Sequence, residues 1–253
     1  MSALGNGVLF GVGVGPGDPE LLTVKAMRLL AKTEVIAYFA RKGSSGNARA
    51  TAQEYIAPGA EEIALTYPYT TEVPHRSEAY RSALHTFYDD SARTIAGRLE
   101  SGKDVAVLCE GDPLFYGSYM YLHDRLSPRF TCRVVPGITS FAGCAAVAGV
   151  PLVSKEQTLA VVPGTIPEEE LEARLRAVDA AVVIKLGRNF GKVRKVLARL
   201  GRLERATYCE RGTTSQQIVM PLVEREGDHS PYFSLILVPG HSDGGSPGRE
   251  PIA

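Results

Sequence analysis

Residues 8–19 read VLFGVGVGPGDP. An apolar run from Val8 to Val12 enters the loop Gly13-Val14-Gly15-Pro16-Gly17-Asp18-Pro19, where prolines and alternating glycines end any regular ladder. Beyond it, Leu22, Ala26, Leu29 and Leu30 fall on one face of a helix, and Glu34 to Phe39 is a second apolar run. Strand, loop, helix, strand is how a parallel sheet begins, because a parallel return needs a crossover that a helix supplies.

The pattern continues outward. Residues 41–50 are basic and small and read as a loop, Ile63 to Glu72 as a strand running into a loop, and 76–100 as a helix closed by Ser101-Gly102-Lys103. Asp104 to Cys109 is a buried strand and Tyr116 to Leu126 a helix. After Val134-Val135-Pro136-Gly137 the texture changes. A helix of small residues runs from Thr139 to Ala148, and Val-Pro-Gly recurs at 162–164 and 238–240, each time as a strand exit. Helices over 167–178 and 190–200 flank a strand at 181–186. The strands near 206–210, 216–222 and 232–238 follow without helices between them, which predicts a mixed or antiparallel sheet. The expected architecture is two α/β domains, 1–135 with a mainly parallel sheet and 136–240 with a mixed one. The tail 241–253 has the composition of a disordered segment.

Bulk properties narrow the function classes. The 253 residues suffice for two cores, and the formal net charge is zero, which argues against binding nucleic acid or an anionic membrane through a global field. No apolar stretch reaches the length of a membrane span, and the first residues lack a secretion signal, so a cytoplasmic location is expected. Four dispersed cysteines make no C-x-x-C and read as reduced, mostly buried thiols; five scattered histidines, His75 and His123 among them, make no metal-ligand pair. No metal site is expected.

The first glycine-rich loop is not a dinucleotide fingerprint. Counted from Gly11 the third glycine would be Pro16, and counted from Gly13 it would be Asp18; no Gly-Lys-Ser/Thr follows to cradle a phosphate. Asp18 suits an N-cap, or a cationic or proton-bearing ligand. A second loop, Glu110-Gly111-Asp112-Pro113, leaves a buried strand at the edge where parallel sheets collect ligands. There glycine admits close approach, Asp112 can accept hydrogen bonds, and Pro113 fixes the turn; a plain capped turn has the same signature.

Three segments in order, GVGPGDPELLTVKA, CEGDPLFYGSYMYL and VPGITSFAGCAAVAGVPL, resemble the tetrapyrrole methylases, S-adenosylmethionine-dependent enzymes of corrin and sirohaem precursors. Lys185-Leu186-Gly187 and Glu210-Arg211-Gly212-Thr213 fit the later part of that family. The resemblance implies two α/β domains with the methyl donor between them, a small-molecule tetrapyrrole acceptor and a homodimer. It implies donor contacts from Pro16, Glu110, Gly111, Asp112, Phe115, Thr139, Ser140, Leu186 and Gly212. Many relatives carry glycine where this chain has Glu110, so backbone contact is expected there. A polycarboxylate acceptor calls for cations, with Arg41, Lys42 and Arg49 first and Arg76, Arg81 and Arg188 behind them, and Tyr67 as a further substrate contact. For the base that removes a ring proton, Asp18 comes first, then Glu72 or a tyrosine in 67–69. Readings from other classes are a non-catalytic tetrapyrrole sensor and, against the broken fingerprint, an NAD-linked oxidoreductase.

Overall fold

The computed structural model describes residues 5–68 and 78–240; Glu72, His75, Arg76 and the tail 241–253 lie outside the described residues. The chain divides into two compact units, Met1–Thr139 and Ser140–Ala253.

The first unit carries five strands, β1 (Leu9–Gly13), β2 (Val35–Ala40), β3 (Glu61–Thr66), β4 (Val105–Cys109) and β5 (Cys132–Val135), in the order β3-β2-β4-β1-β5. Every pairing is parallel, so all five strands end at one edge. The crossovers are α1 (Val24–Leu30), α2 (Asn47–Ala52), α3 (Glu78–Glu100) and α4 (Tyr119–Leu126). Side-chain alternation divides the core between two faces. Val12, Ile36, Ala106, Leu108 and Val135 face Ala26 and Leu30 of α1 and Ala48 and Ala52 of α2. Leu9, Val35, Val105 and Val107 face Ile95 and Leu99 of α3 and Tyr119 and Leu122 of α4. Covered on both sides, β4 reads as an unbroken apolar run and is buried at every residue. Gly11 lets α4 come this close: a Cβ there would stand 2.6 Å from the Tyr119 ring.

Three local expectations shift. The stretch 41–50, read as a loop, contains the start of α2, because Ala48 and Ala52, four apart, bury one helical face against the sheet. The first helix is broken. A 3-10 turn at Pro19–Leu21 is capped by Asp18, and α1 begins only after Thr23, whose hydroxyl accepts from the Ala26 N–H at 3.1 Å. The helix expected from Tyr116 starts at Tyr119, since Tyr116 sits at φ 55, outside the helical region.

The second unit carries β6 (Leu159–Pro163), β7 (Ala180–Ile184), β8 (Thr207–Glu210), β9 (Ile218–Pro221) and β10 (Ser234–Val238), in the order β6-β7-β10-β8-β9. Only β6 and β7 pair in parallel; β10 runs antiparallel to β7 and β8, and β9 antiparallel to β8, so the sheet is mixed. Helices α6 (Glu168–Arg176) and α7 (Phe190–Arg199) cover one face through Leu171, Leu175, Phe190 and Val193. Helix α5 (Ser140–Val147) covers the other, with Cys144 against Val182, Cys209 and Leu237. The architecture is two α/β units, one parallel and one mixed, as the strand and helix patterns predict.

Candidate functional site

In the first unit β1 lies between β4 and β5, so the loops leaving these strands meet at one edge. They meet through backbone. Gly15 and Gly111 form an antiparallel bridge, with Gly111 N–H donating to Gly15 O at 2.8 Å and Gly15 N–H to Gly111 O at 3.3 Å. A Cβ on Gly13 would stand 2.5 Å from Gly137 N and 2.6 Å from Gly111 O, and one on Gly137 only 2.1 Å from Gly111 O. In this seam of three glycines no side chain fits at Gly13 or Gly137, and Gly111 sits at φ 66. The seam ties together at their roots the loops that carry Pro16, Glu110, Phe115 and Thr139, so those residues stand on a single preorganised platform.

Asp112 completes the tie. Its Oδ1 accepts the Leu114 N–H at 2.9 Å and its Oδ2 the Gly137 N–H at 3.0 Å, joining the β4 loop to the β5 loop. Asp18 Oδ1 accepts the Glu20 N–H at 2.9 Å, which caps the 3-10 turn. Glu110 is used differently. Its side chain is exposed and lies near the Asn47 side chain and the Arg41 charge. Desolvation by the surrounding protein atoms pushes its carboxyl up to about 7 against the pull of Asn47 and Arg41. Phe115 is half-buried with its ring edge-on to Tyr116 at 5.1 Å. Thr139 and Ser140 stand at the start of α5.

In the second unit β6, β7 and β8 end at a common edge. Leu186, just past β7, is fully buried, and Gly212, just past β8, packs on α5 so tightly that a Cβ would stand 2.5 Å from Cys144 Sγ. Backbone strain gathers at these exits. Among the described residues the non-glycine positions with positive φ are Tyr116, Lys155, Lys185, Arg211 and Thr213. All but Lys155 adjoin an expected donor contact: Tyr116 follows Phe115, Lys185 precedes Leu186, and Arg211 and Thr213 flank Gly212. Left-handed backbone in bulky residues persists only where surrounding structure enforces it, and such positions cluster at ligand sites. Behind the β8 exit Glu210 is buried and accepts from the Tyr208 hydroxyl at 2.8 Å.

The expected acceptor contacts divide. Arg41 and Lys42 are exposed in the loop after β2, at the same edge as Glu110, and Arg188 is exposed in the 3-10 turn after β7. Arg49 is committed elsewhere. Its guanidinium holds both Glu62 oxygens, at 2.9 and 3.0 Å, and Gln53 at 3.0 Å. Glu62 pairs with Ile36 near the start of β2, so at about 3.3 Å per residue the ion pair lies about 13 Å back from the edge where the strands end. Tyr67 is half-buried in an aromatic cluster, stacked on Phe39 at 5.6 Å, with its hydroxyl 2.5 Å from Ser118 Oγ. Among the described residues no group of three or more His, Cys, Asp or Glu is placed to hold a metal ion, and no helix is long and apolar enough to cross a membrane.

Sequence reasoning missed Asn47, the outward use of the Glu110 side chain, and the pairing of Gly13 with Gly137. The glycines were visible as strand exits, but nothing local marks which exits touch.

Comparison with known proteins places these features. Residues 8–226 match the family model described as Tetrapyrrole (Corrin/Porphyrin) Methylases. The chain is 51% identical over 243 residues to a precorrin-2 C(20)-methyltransferase of Sinorhizobium sp, covering 96% of this chain and 99% of that protein. It is 31% identical over 236 residues to a cobalt-precorrin-2 C(20)-methyltransferase of Salmonella typhimurium, covering 92% and 96%. Among solved structures, the uroporphyrin-III C-methyl transferase of Thermus thermophilus complexed with S-adenyl homocysteine is similar, with a TM-score of 0.62, 27% identity and coverage of 91% and 97%.

Proposed function

The chain belongs to the tetrapyrrole (corrin/porphyrin) methylase family, and from that membership we propose that it transfers the methyl group of S-adenosylmethionine to C-20 of precorrin-2, giving precorrin-3A in cobalamin biosynthesis. One observation carries the choice of step: 51% identity across 99% of a relative named for that reaction, against 31% to a relative named for the cobalt-loaded acceptor. YPYTTE at 67–72 and GSYMYLHDRL at 117–126 resemble the same subgroup.

The residues present fit a nucleoside methyl donor. The platform built on the Gly13, Gly111 and Gly137 seam carries Pro16, the 110–112 backbone and Phe115 in fixed positions, and the strained exits hold Leu186 and Gly212. In this reading these residues, with Thr139 and Ser140, bind the donor. The bound donor supplies a methyl group on a positively charged sulfur, already activated, so the chain needs only to position, exclude water and accept a proton. Asp112 acts through the loops it ties. Arg41, Lys42 and Arg188 are assigned to the acceptor's carboxylates, and Tyr67 to its ring edge. A homodimer belongs to the same proposal, and sedimentation equilibrium measures it.

The deciding assay supplies labelled donor with precorrin-2 and, separately, with its cobalt-loaded counterpart. Label entering the metal-free acceptor at C-20, located by NMR, is the expected result. Faster transfer to the cobalt form would reassign the step, and S-adenosylhomocysteine binding without transfer to either would make the protein a sensor.

A further inference from the structure

A serine just before a helix ordinarily caps it, its hydroxyl taking a backbone N–H of the first turn. Ser118, directly before α4, makes no such bond. Its Oγ instead lies 2.5 Å from the Tyr67 hydroxyl and accepts from the Tyr88 hydroxyl at 3.2 Å. Two tyrosines, one from the β3 exit and one from α3, thus converge on a serine at the end of the β4 exit loop. Resting on the reading above, in which Tyr67 meets the tetrapyrrole and Phe115 the donor, we propose that Ser118 is a positioning residue for acceptor binding, fixing Tyr67 against the loop that carries Phe115.

Each arm of this network leads to a different part of the first unit. On the acceptor side, the Tyr67 N–H donates to Ala40 O at 3.0 Å, which lays Tyr67 alongside the exposed cations Arg41 and Lys42. Stacking on Phe39 at 5.6 Å and contact with Phe87 at 4.9 Å set the plane of the Tyr67 ring but permit sliding within it. The directional bond to Ser118 restricts that remaining freedom. On the donor side, residues 113–117 join Ser118 to the seam that Asp112 closes. The turn is tight, since a Cβ on Gly117 would stand 2.9 Å from Pro113 O. The third arm is an anchor. Tyr88 is buried, with its ring stacked on Tyr121 at 4.6 Å and the Arg125 guanidinium 5.8 Å from its centroid. Arg125 in turn donates from Nε to Asp89 Oδ1 at 2.7 Å, so α3 and α4 hold Tyr88 between them and give Ser118 a fixed back.

The test measures precorrin-2 affinity by visible absorption titration under saturating S-adenosylhomocysteine, a complex that binds without turning over. Calorimetry gives the affinity for S-adenosylhomocysteine itself. Ser118→Ala in the full chain is expected to weaken precorrin-2 binding by about five-fold or more, the fold-change of one neutral hydrogen bond. Its S-adenosylhomocysteine affinity should stay within about two-fold, which also reports that it folds. Ser118→Thr keeps the hydroxyl and should restore most of the precorrin-2 affinity. Because Ser118 acts through the Tyr67 hydroxyl, adding S118A to Tyr67→Phe should cost little more than Y67F alone. A tie that serves stability only would lower the melting temperature of S118A and leave its precorrin-2 affinity at the wild-type value. That result, additive losses in the double variant, or a loss falling equally on both ligands would each overturn the proposal. Wild-type protein that does not bind precorrin-2 would overturn the acceptor reading and this proposal with it, an outcome distinct from a variant that matches wild type.

Discussion

Replacing Asp112 with asparagine tests whether this carboxylate ties loops together or binds a ligand. Its two oxygens accept Leu114 N–H at 2.9 Å and Gly137 N–H at 3.0 Å. Asparagine has the same shape but only one acceptor, so one of those N–H groups must face an NH2. Leu114 is exposed and Gly137 half-buried, so the side chain keeps Gly137 and releases Leu114 to water. The retained bond falls from charge-assisted to neutral, about 1 kcal/mol, and the lost bond costs about 1 kcal/mol more. The sum, about 2 kcal/mol, corresponds to a Tm lowered by about 4–8 °C for a chain of this size. Asp112→Ala leaves the Gly137 N–H unsatisfied as well and should fall further. Thermal melts give the total, and amide exchange at Gly137, faster in D112A than in D112N, locates it. Donor affinity should weaken only as the platform loosens. A D112N protein that melts with wild type yet no longer binds S-adenosylhomocysteine would refute the tie and make Asp112 a ligand contact.

Other outcomes follow from the same geometry. Gly212→Ala drives a Cβ to 2.5 Å from Cys144 Sγ and should cost about 1–3 kcal/mol by urea denaturation. Adding Cys144→Ala removes the sulfur and should recover most of that loss, so simple additivity in the double-mutant cycle would refute the contact. Glu62, hydrogen-bonded by Arg49, is held below its ordinary 4.5. Its contribution is fully present above 4.5 and is lost as pH falls through the lower folded value. Arg49→Ala should therefore reduce stability at neutral pH and flatten its acid dependence, with no change in the affinity for donor. Glu110 has the opposite sign. Raised from 4.5 to about 7, it contributes stability that is fully present below 4.5 and is lost as pH rises through 7. E110Q should melt with wild type at pH 4 and above it at pH 8, and equal melts at both would count against the raised value.

Much of this was legible in order along the chain. The Val8–Val12 run, its glycine-proline exit and the apolar faces that follow describe parallel crossovers, since alternation and helical spacing are set by near neighbours. The late strands without helices between them already spoke for a mixed sheet. The same locality explains the misses. Ala48 and Ala52 look like loop residues until a sheet lies beneath them. Tyr116 looks helical until Asp112 and the strained turn hold the helix start back to Tyr119. Arg49 looks like a cation for substrate until Glu62, on the neighbouring strand, takes it.

Sequence by itself determined the two α/β halves, the loops at strand ends and the family, because each is written in residues a few positions apart. Only the tertiary structure decided which loops touch and which carboxylate holds them together. The strand order sets β1 between β4 and β5, and that adjacency brings Gly13, Gly111 and Gly137 into one seam. It also spends Asp112 on holding the seam, while β2 beside β4 brings Asn47 and Arg41 to Glu110. Partners this far apart in sequence are chosen by how strands are laid side by side, and no local pattern of residues encodes that choice.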